Sequence, residues 1–122
     1  MSKKVLIADD EPNIVISLEF LMKREGHAVS VARDGPAALE AIRTAKPDLV
    51  LLDVMMPGLS GFEVCQAVRG DEALAGVKIL MLSAKGRDTD IAKGQALGAD
   101  AYMTKPFSTK ELAEKVRELL AS

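Results

Sequence analysis

A chain with one cysteine, Cys65, and one histidine, His27, can build neither an internal disulfide nor the usual zinc ligand sets. Cys65 reads as a small buried apolar residue on a helix, and the missing disulfide agrees with a reducing compartment. No apolar run approaches the roughly 20 residues of a membrane span. Met1-Ser2-Lys3-Lys4 and the short apolar stretch before Asp9-Asp10-Glu11 lack the apolar segment and cleavage site of a secretory leader. A cytoplasmic location is therefore expected, and the Met1 start favours an amino-terminal position. Lys and Arg nowhere cluster, and the formal net charge is -2 with a pI near 5.4. That balance argues against nucleic-acid binding by this chain, so a DNA role would need another domain. No linker, repeat or low-complexity stretch interrupts the sequence.

What is present fits one globular domain over residues 1–122. The chain is 48% hydrophobic and 28% charged, and a chain of 122 residues buries about two thirds of its unfolded surface. Strand and helix patterns alternate five times, the sequence form of a parallel sheet with helices on both faces. Val5 to Ala8 is the first strand. Pro12 suits a first helical turn, with Ile14, Val15, Leu18, Leu21 and Met22 as the apolar face and Gly26 as the stop. His27 to Ala32 is the second strand, and Asp34-Gly35-Pro36 opens a helix that must end before Pro47. Leu49 to Leu52 lacks alternation, as a central parallel strand buried on both faces should.

Ser60 and Glu63 form a capping box for a third helix carrying Phe62, Cys65 and Val68. Strand four carries the apolar run Val77 to Leu82 and ends at Ser83. The fourth helix, about Asp88 to Leu97, is short and weakly apolar, and Gly94 costs it about 1 kcal/mol relative to alanine. It is the helix expected to move. Ala99 to Thr104 is strand five, and Ser108 with Glu111 caps a final helix whose inner face is Leu112, Val116, Leu119 and Leu120. These lengths fit a flavodoxin-like (βα)5 fold with strand order 2-1-3-4-5.

Five positions close these strands or lie just past them: the pair Asp9-Asp10, then Asp53, Ser83 and Lys105. In an open parallel sheet the carboxyl ends of the strands form the ligand crevice, so the polar groups converge. Three crowded carboxylates repel unless a cation or Lys105 offsets them. The set therefore predicts a divalent-metal site with a nucleophilic or phosphate-handling carboxylate. Asp10 or Glu11 read alone would be a cap for the first helix, which leaves Asp53 and Lys105 unexplained.

Asp9-Asp10-Glu11, Leu52-Asp53-Val54-Met55-Met56-Pro57-Gly58, Ser83-Ala84-Lys85 and Lys105-Pro106-Phe107 together resemble the receiver domain of bacterial two-component response regulators, and the resemblance covers the whole chain. It implies a phosphoacceptor, Asp53, taking a phosphoryl group from a histidine kinase's phosphohistidine. It implies Mg²⁺ held by Asp10, Asp53 and the Met55 carbonyl, with Asp9 acting through water. Lys105 and Ser83 are then the groups that meet the phosphoryl oxygens. Tyr102 is similar to the family's switch aromatic, and Lys105-Pro106 is the family's cis peptide. Phe107 is read as packing and His27 as passive.

The implied partners are a sensor histidine kinase or phosphotransfer protein, and an output partner on the face of helix four, strand five and helix five. Phosphorylation would move the loop from Ser83 to Arg87 and tilt helix four, in a monomer or a phosphorylation-dependent dimer. Three rivals fare worse. A haloacid-dehalogenase-type phosphatase carries a second aspartate two residues past its nucleophile, where this chain has Met55, so an enzyme that turns over external substrates is not expected. A flavodoxin-like cofactor binder needs Ser, Thr and Gly amides where Asp9-Asp10-Glu11 stand. A degenerate receiver would not keep the full acceptor set. Met55 and Lys85 beside the acceptor imply an acyl phosphate lasting minutes rather than seconds, and Ser83 in place of the commoner threonine implies a looser switch.

Overall fold

The computed structural model describes residues 3–84 and 88–121. Its strands are β1 (Lys4–Ala8), β2 (Ala28–Ala32), β3 (Leu49–Asp53), β4 (Lys78–Ala84) and β5 (Ala101–Lys105). Its helices are α1 (Pro12–Arg24), α2 (Gly35–Ala45), α3 (Gly61–Arg69), α4 (Asp88–Ala96) and α5 (Thr109–Ala121), with a 3-10 turn over Glu72–Leu74. All strand pairs are parallel and the order is β2-β1-β3-β4-β5.

Local chemistry sets the element ends. Asp34 accepts the Ala37 amide at 2.7 Å and caps α2. Ser60 and Glu63 bond reciprocally at the start of α3, satisfying two amides that the first turn leaves without helical partners. The Glu111 amide donates to Ser108 Oγ at 3.3 Å. Observed bounds differ from the sequence reading by a residue or two. β5 runs to Lys105 itself and α4 stops at Ala96, while the Glu72–Leu74 turn is too short to leave a periodicity.

Strand pleating divides the core in two. Val5 and Ile7, Leu49 and Leu51, and Leu80 and Leu82 face α1 and α5, meeting Val15, Leu18, Leu112 and Val116. Leu6 and Ala8, Val50 and Leu52, and Ile79 and Met81 face the opposite side, with Ile42 of α2 and Val64, Cys65 and Val68 of α3. The Cys65 thiol contacts the Leu97 carbonyl, and burial pushes its pKa up, the behaviour of a structural cysteine. Because the central strands are covered on both faces, only their carboxyl edge is open to carry polar chemistry.

Candidate functional site

Alternation continues to the strand ends and sorts the site residues. Asp9 and Asp53 follow the side-chain direction of Ile7 and Leu51, and Lys105 that of Met103, toward the α1 and α5 side. Ser83 and Tyr102 fall on the opposite parity, with Met81, toward α4. The site thus has a charged half and a hydroxyl half, divided by the crest of the sheet.

In the charged half Asp9 is fully buried and Asp53 only 4% exposed, while Asp10 is open to solvent. Carboxylate oxygens of the three lie within 4.8 Å of one another. Lys105 Nζ reaches all but Asp10, at 3.0 Å from Asp9 Oδ2 and 3.3 Å from Asp53 Oδ1, and it also lies 3.0 Å from Glu11 Oε1. The Glu11 amide donates to Asp9 Oδ1 at 2.9 Å, which fixes the buried carboxylate's orientation. The Met55 amide lies 3.4 Å from Asp53 Oδ1, and the Met55 side chain is 63% exposed at the rim. The Lys105–Pro106 peptide is cis.

The backbone behind Asp53 is held from two sides. Val54 donates to the Leu82 carbonyl of β4 at 3.0 Å, and Gly61 donates to the Val54 carbonyl at 2.9 Å, folding residues 54–60 back on the strand end. Only glycine fits there, because a Cβ on residue 61 would overlap the Asp53 carbonyl oxygen.

Burial raises the Asp53 pKa from 3.8 to about 6, the Asp9 charge adds to the rise, and Lys105 opposes it. Burial works against the Lys105 ammonium, but hydrogen bonds to Asp9 and Glu11 and the field of Asp53 outweigh it and hold the lysine firmly charged. One ammonium therefore leaves the cluster short of positive charge. Hard, all-oxygen donors in that condition suit a small divalent cation of the magnesium type.

In the hydroxyl half, Ser83 is 1% exposed and donates to Asp90 Oδ2 of α4 at 2.9 Å. Tyr102 is half-buried and packs against the core beneath α4. Phe107 is packed against the opposite core, and His27 Nδ1 accepts the Lys3 amide at 3.3 Å, away from the crevice. The Glu11 side chain makes no cap bond with α1. Lys85 and the loop it belongs to, residues 85–87, lie outside the described residues. Sequence reasoning passed over two participants. The sequence assigns no role to either: the Glu11 side chain reaches Lys105, and Asp90 is 4% exposed against Ser83.

Fold and site together define a doubly wound α/β domain with a carboxylate cluster and one ammonium at the carboxyl edge of its sheet. The sequence model of the response regulator receiver domain matches residues 5–117, and the chain belongs to that family, the phosphoacceptor module of two-component systems. It is 47% identical over 120 residues to the alkaline phosphatase synthesis transcriptional regulatory protein PhoP of Bacillus subtilis, covering 98% of this chain and 49% of that protein. It is 43% identical over 120 residues to the DNA-binding response regulator MtrA of Mycolicibacterium smegmatis, covering 98% and 51%. The chain therefore spans about half the length of these curated relatives. Among solved structures, the chemotaxis response regulator CheY4 of Vibrio cholerae superposes with a TM-score of 0.91 at 31% identity, over 98% of this chain and 99% of that one.

Proposed function

We propose that Asp53 is the residue phosphorylated, by transfer from the phosphohistidine of a sensor kinase or phosphotransfer protein. The observation that carries this is its position: Asp53 ends the central strand with Asp9, Asp10 and Lys105 grouped about it. In the transfer an Asp53 carboxylate oxygen bonds to phosphorus while the N–P bond breaks and its electron pair returns to the imidazole. Phosphoryl transfer depends on positioning and on charge neutralisation more than on nucleophile strength, so a fixed carboxylate suffices. Magnesium, held by Asp10, Asp53 and the Met55 carbonyl with Asp9 acting through water, would supply most of the charge neutralisation. Lys105 provides a point charge to the phosphoryl oxygens, and its three carboxylate neighbours keep it charged for that role. Ser83 supplies a hydroxyl to another oxygen.

The chain turns over no external substrate in this reading, since Met55, where a phosphatase of the aspartate type needs an acid, is apolar. The output surface is the face of α4, β5 and α5, where a cleft of about 490 Å³ is lined by Ile91, Tyr102, Phe107, Glu111 and Lys115 among others. Tyr102 connects that cleft to the switch. In this reading the receiver works in the cytoplasm, as a monomer or a phosphorylation-dependent dimer; among the described residues no helix is long and apolar enough to cross a membrane. In regulators twice this length, such as MtrA, DNA contact is assigned to the part outside the receiver, since this chain carries net charge -2 and no basic cluster.

Intact mass after incubation with acetyl phosphate and Mg²⁺ tests the assignment. One phosphoryl group should add to the wild type and none to Asp53→Ala. Equal addition to both, or to neither, would overturn it.

A further inference from the structure

Helix α4 is anchored in an unusual way. Among its described side chains, only positions 90 and 94 are buried, and they are an aspartate and a glycine rather than the apolar pair such a helix normally presents. The two are one turn apart on one face. Gly94 lies against the Tyr102 ring so closely that an added Cβ would sit 3.1 Å from Cε2. Asp90 meets Ser83 through a buried hydrogen bond of 2.9 Å. The helix thus rests on the sheet at Ser83 and at Tyr102.

We propose that Asp90 is the resting-state acceptor of the Ser83 hydroxyl and thereby sets how readily the site takes a phosphoryl group. The inference rests on the reading of Asp53 as phosphoacceptor. A serine hydroxyl has one proton. Here it points to Asp90 Oδ2, with the Ala84 carbonyl a longer alternative at 3.4 Å. Donation to a phosphoryl oxygen on Asp53 and donation to Asp90 exclude each other. The carboxylate is a strong competitor, because a charge-assisted bond in a buried setting exceeds a neutral one.

Moving the proton across the crest of the sheet therefore removes a buried polar contact that seats α4, one turn from Gly94 and Tyr102. Asp90 is a positioning residue: it touches no phosphoryl oxygen and acts only through Ser83. The polar anchorage gives α4 a seat that the chemistry at Asp53 can release, which burial of a leucine at position 90 would not.

The test is the affinity for beryllium trifluoride, a phosphoryl mimic, with saturating Mg²⁺, read by fluorine NMR on the full chain. Asp90→Ala should tighten binding about tenfold by removing the competitor, and Asp90→Asn, which keeps an acceptor of the same shape, by a smaller factor. On a Ser83→Ala background the Asp90→Ala change should alter affinity less than about twofold, since no proton is left to contest. Asp90→Ala with unchanged or weaker affinity, or with the same gain on both backgrounds, overturns the proposal. A wild type that takes up no beryllium trifluoride, or takes it up equally as Asp53→Ala, overturns the phosphoacceptor reading and this inference with it.

Discussion

Lys105 Nζ stands 3.0 Å from Asp9 Oδ2, joining the end of the last strand to the end of the first. Asp9 is fully buried and the Lys105 side chain 15% exposed, so solvent does little to screen either charge. Neither strand neighbours the other in the sheet, and the pair spans the ends of β3 and β4 between them. This ion pair is what makes two buried carboxylates tolerable in one crevice.

Removing the lysine should therefore expose the repulsion it offsets. Lys105→Ala, measured by thermal melting in chelator, is expected to lose about 3 kcal/mol of stability, the range seen when one member of a buried pair is deleted. Added Mg²⁺ should then raise the melting temperature of the variant more than that of the wild type. Equal metal stabilisation of both would show that Lys105 does not share the cation's task.

Asp53 gives stability a pH dependence of known sign. Its pKa is about 6 in the folded chain against 3.8 as the ordinary value, so the folded state holds the proton more tightly. The stabilisation from this group is complete below about pH 4, falls as pH rises toward 6, and is absent above it. Asp53→Asn removes the effect. Without metal at pH 7.5 the variant should be more stable than wild type by about 2 kcal/mol, and near pH 4 the two should melt together. Mg²⁺ affinity of the wild type should weaken as pH falls through about 6, because proton and metal compete for the same carboxylate.

Most of the fold was legible because each signal is local. Asp34 before Gly35-Pro36 and Ser60 three residues before Glu63 announce helix starts, and the unbroken Leu49–Leu52 run announces a strand covered on both faces. The charged half of the site was legible because every member sits at a strand end, and parallel topology carries strand ends to one edge. Of the hydroxyl half, Ser83 was legible in the same way, but its partner was not. Asp90 looks from sequence like any acid in a first helical turn, since nothing in Asp88-Thr89-Asp90 tells that position 90 turns inward. Gly94 reads as a flaw in a helix, and only the sheet beneath explains it by bringing the Tyr102 ring against its Cα. Glu11 closes the acidic run before Pro12, and nothing in that run tells that its side chain reaches Lys105.

Gly61→Ala tests the tie behind the acceptor. The new Cβ would overlap the Asp53 carbonyl oxygen, which is backbone and cannot rotate away. A loss of about 3 kcal/mol in denaturant unfolding is expected, with slower labelling by acetyl phosphate. A variant of wild-type stability and labelling rate would mean that residues 54–60 do not hold Asp53 in place.

Tyr102 is the one tyrosine in a chain without tryptophan, so its emission reports a single location. In Gly94→Ala the helix gains about 1 kcal/mol of propensity while the ring must shift by a few tenths of an ångström. Net stability should stay within about 1 kcal/mol of wild type while tyrosine emission and near-ultraviolet dichroism change. Unaltered spectra would place the ring away from α4.

Order of synthesis gives the Asp9–Lys105 pair a further meaning. A ribosome releases Asp9, Asp10 and Asp53 well before β5, and the ammonium that offsets them arrives only with that last strand. Until β5 docks beside β4, the acids have reason to stay hydrated and apart, and the long-range pairing that gathers them is also the slow part of forming a parallel sheet. A nascent or proteolytically shortened chain that lacks β5 therefore lacks the ammonium that gathers these acids, and the crevice takes shape only once the last strand of the domain is in place.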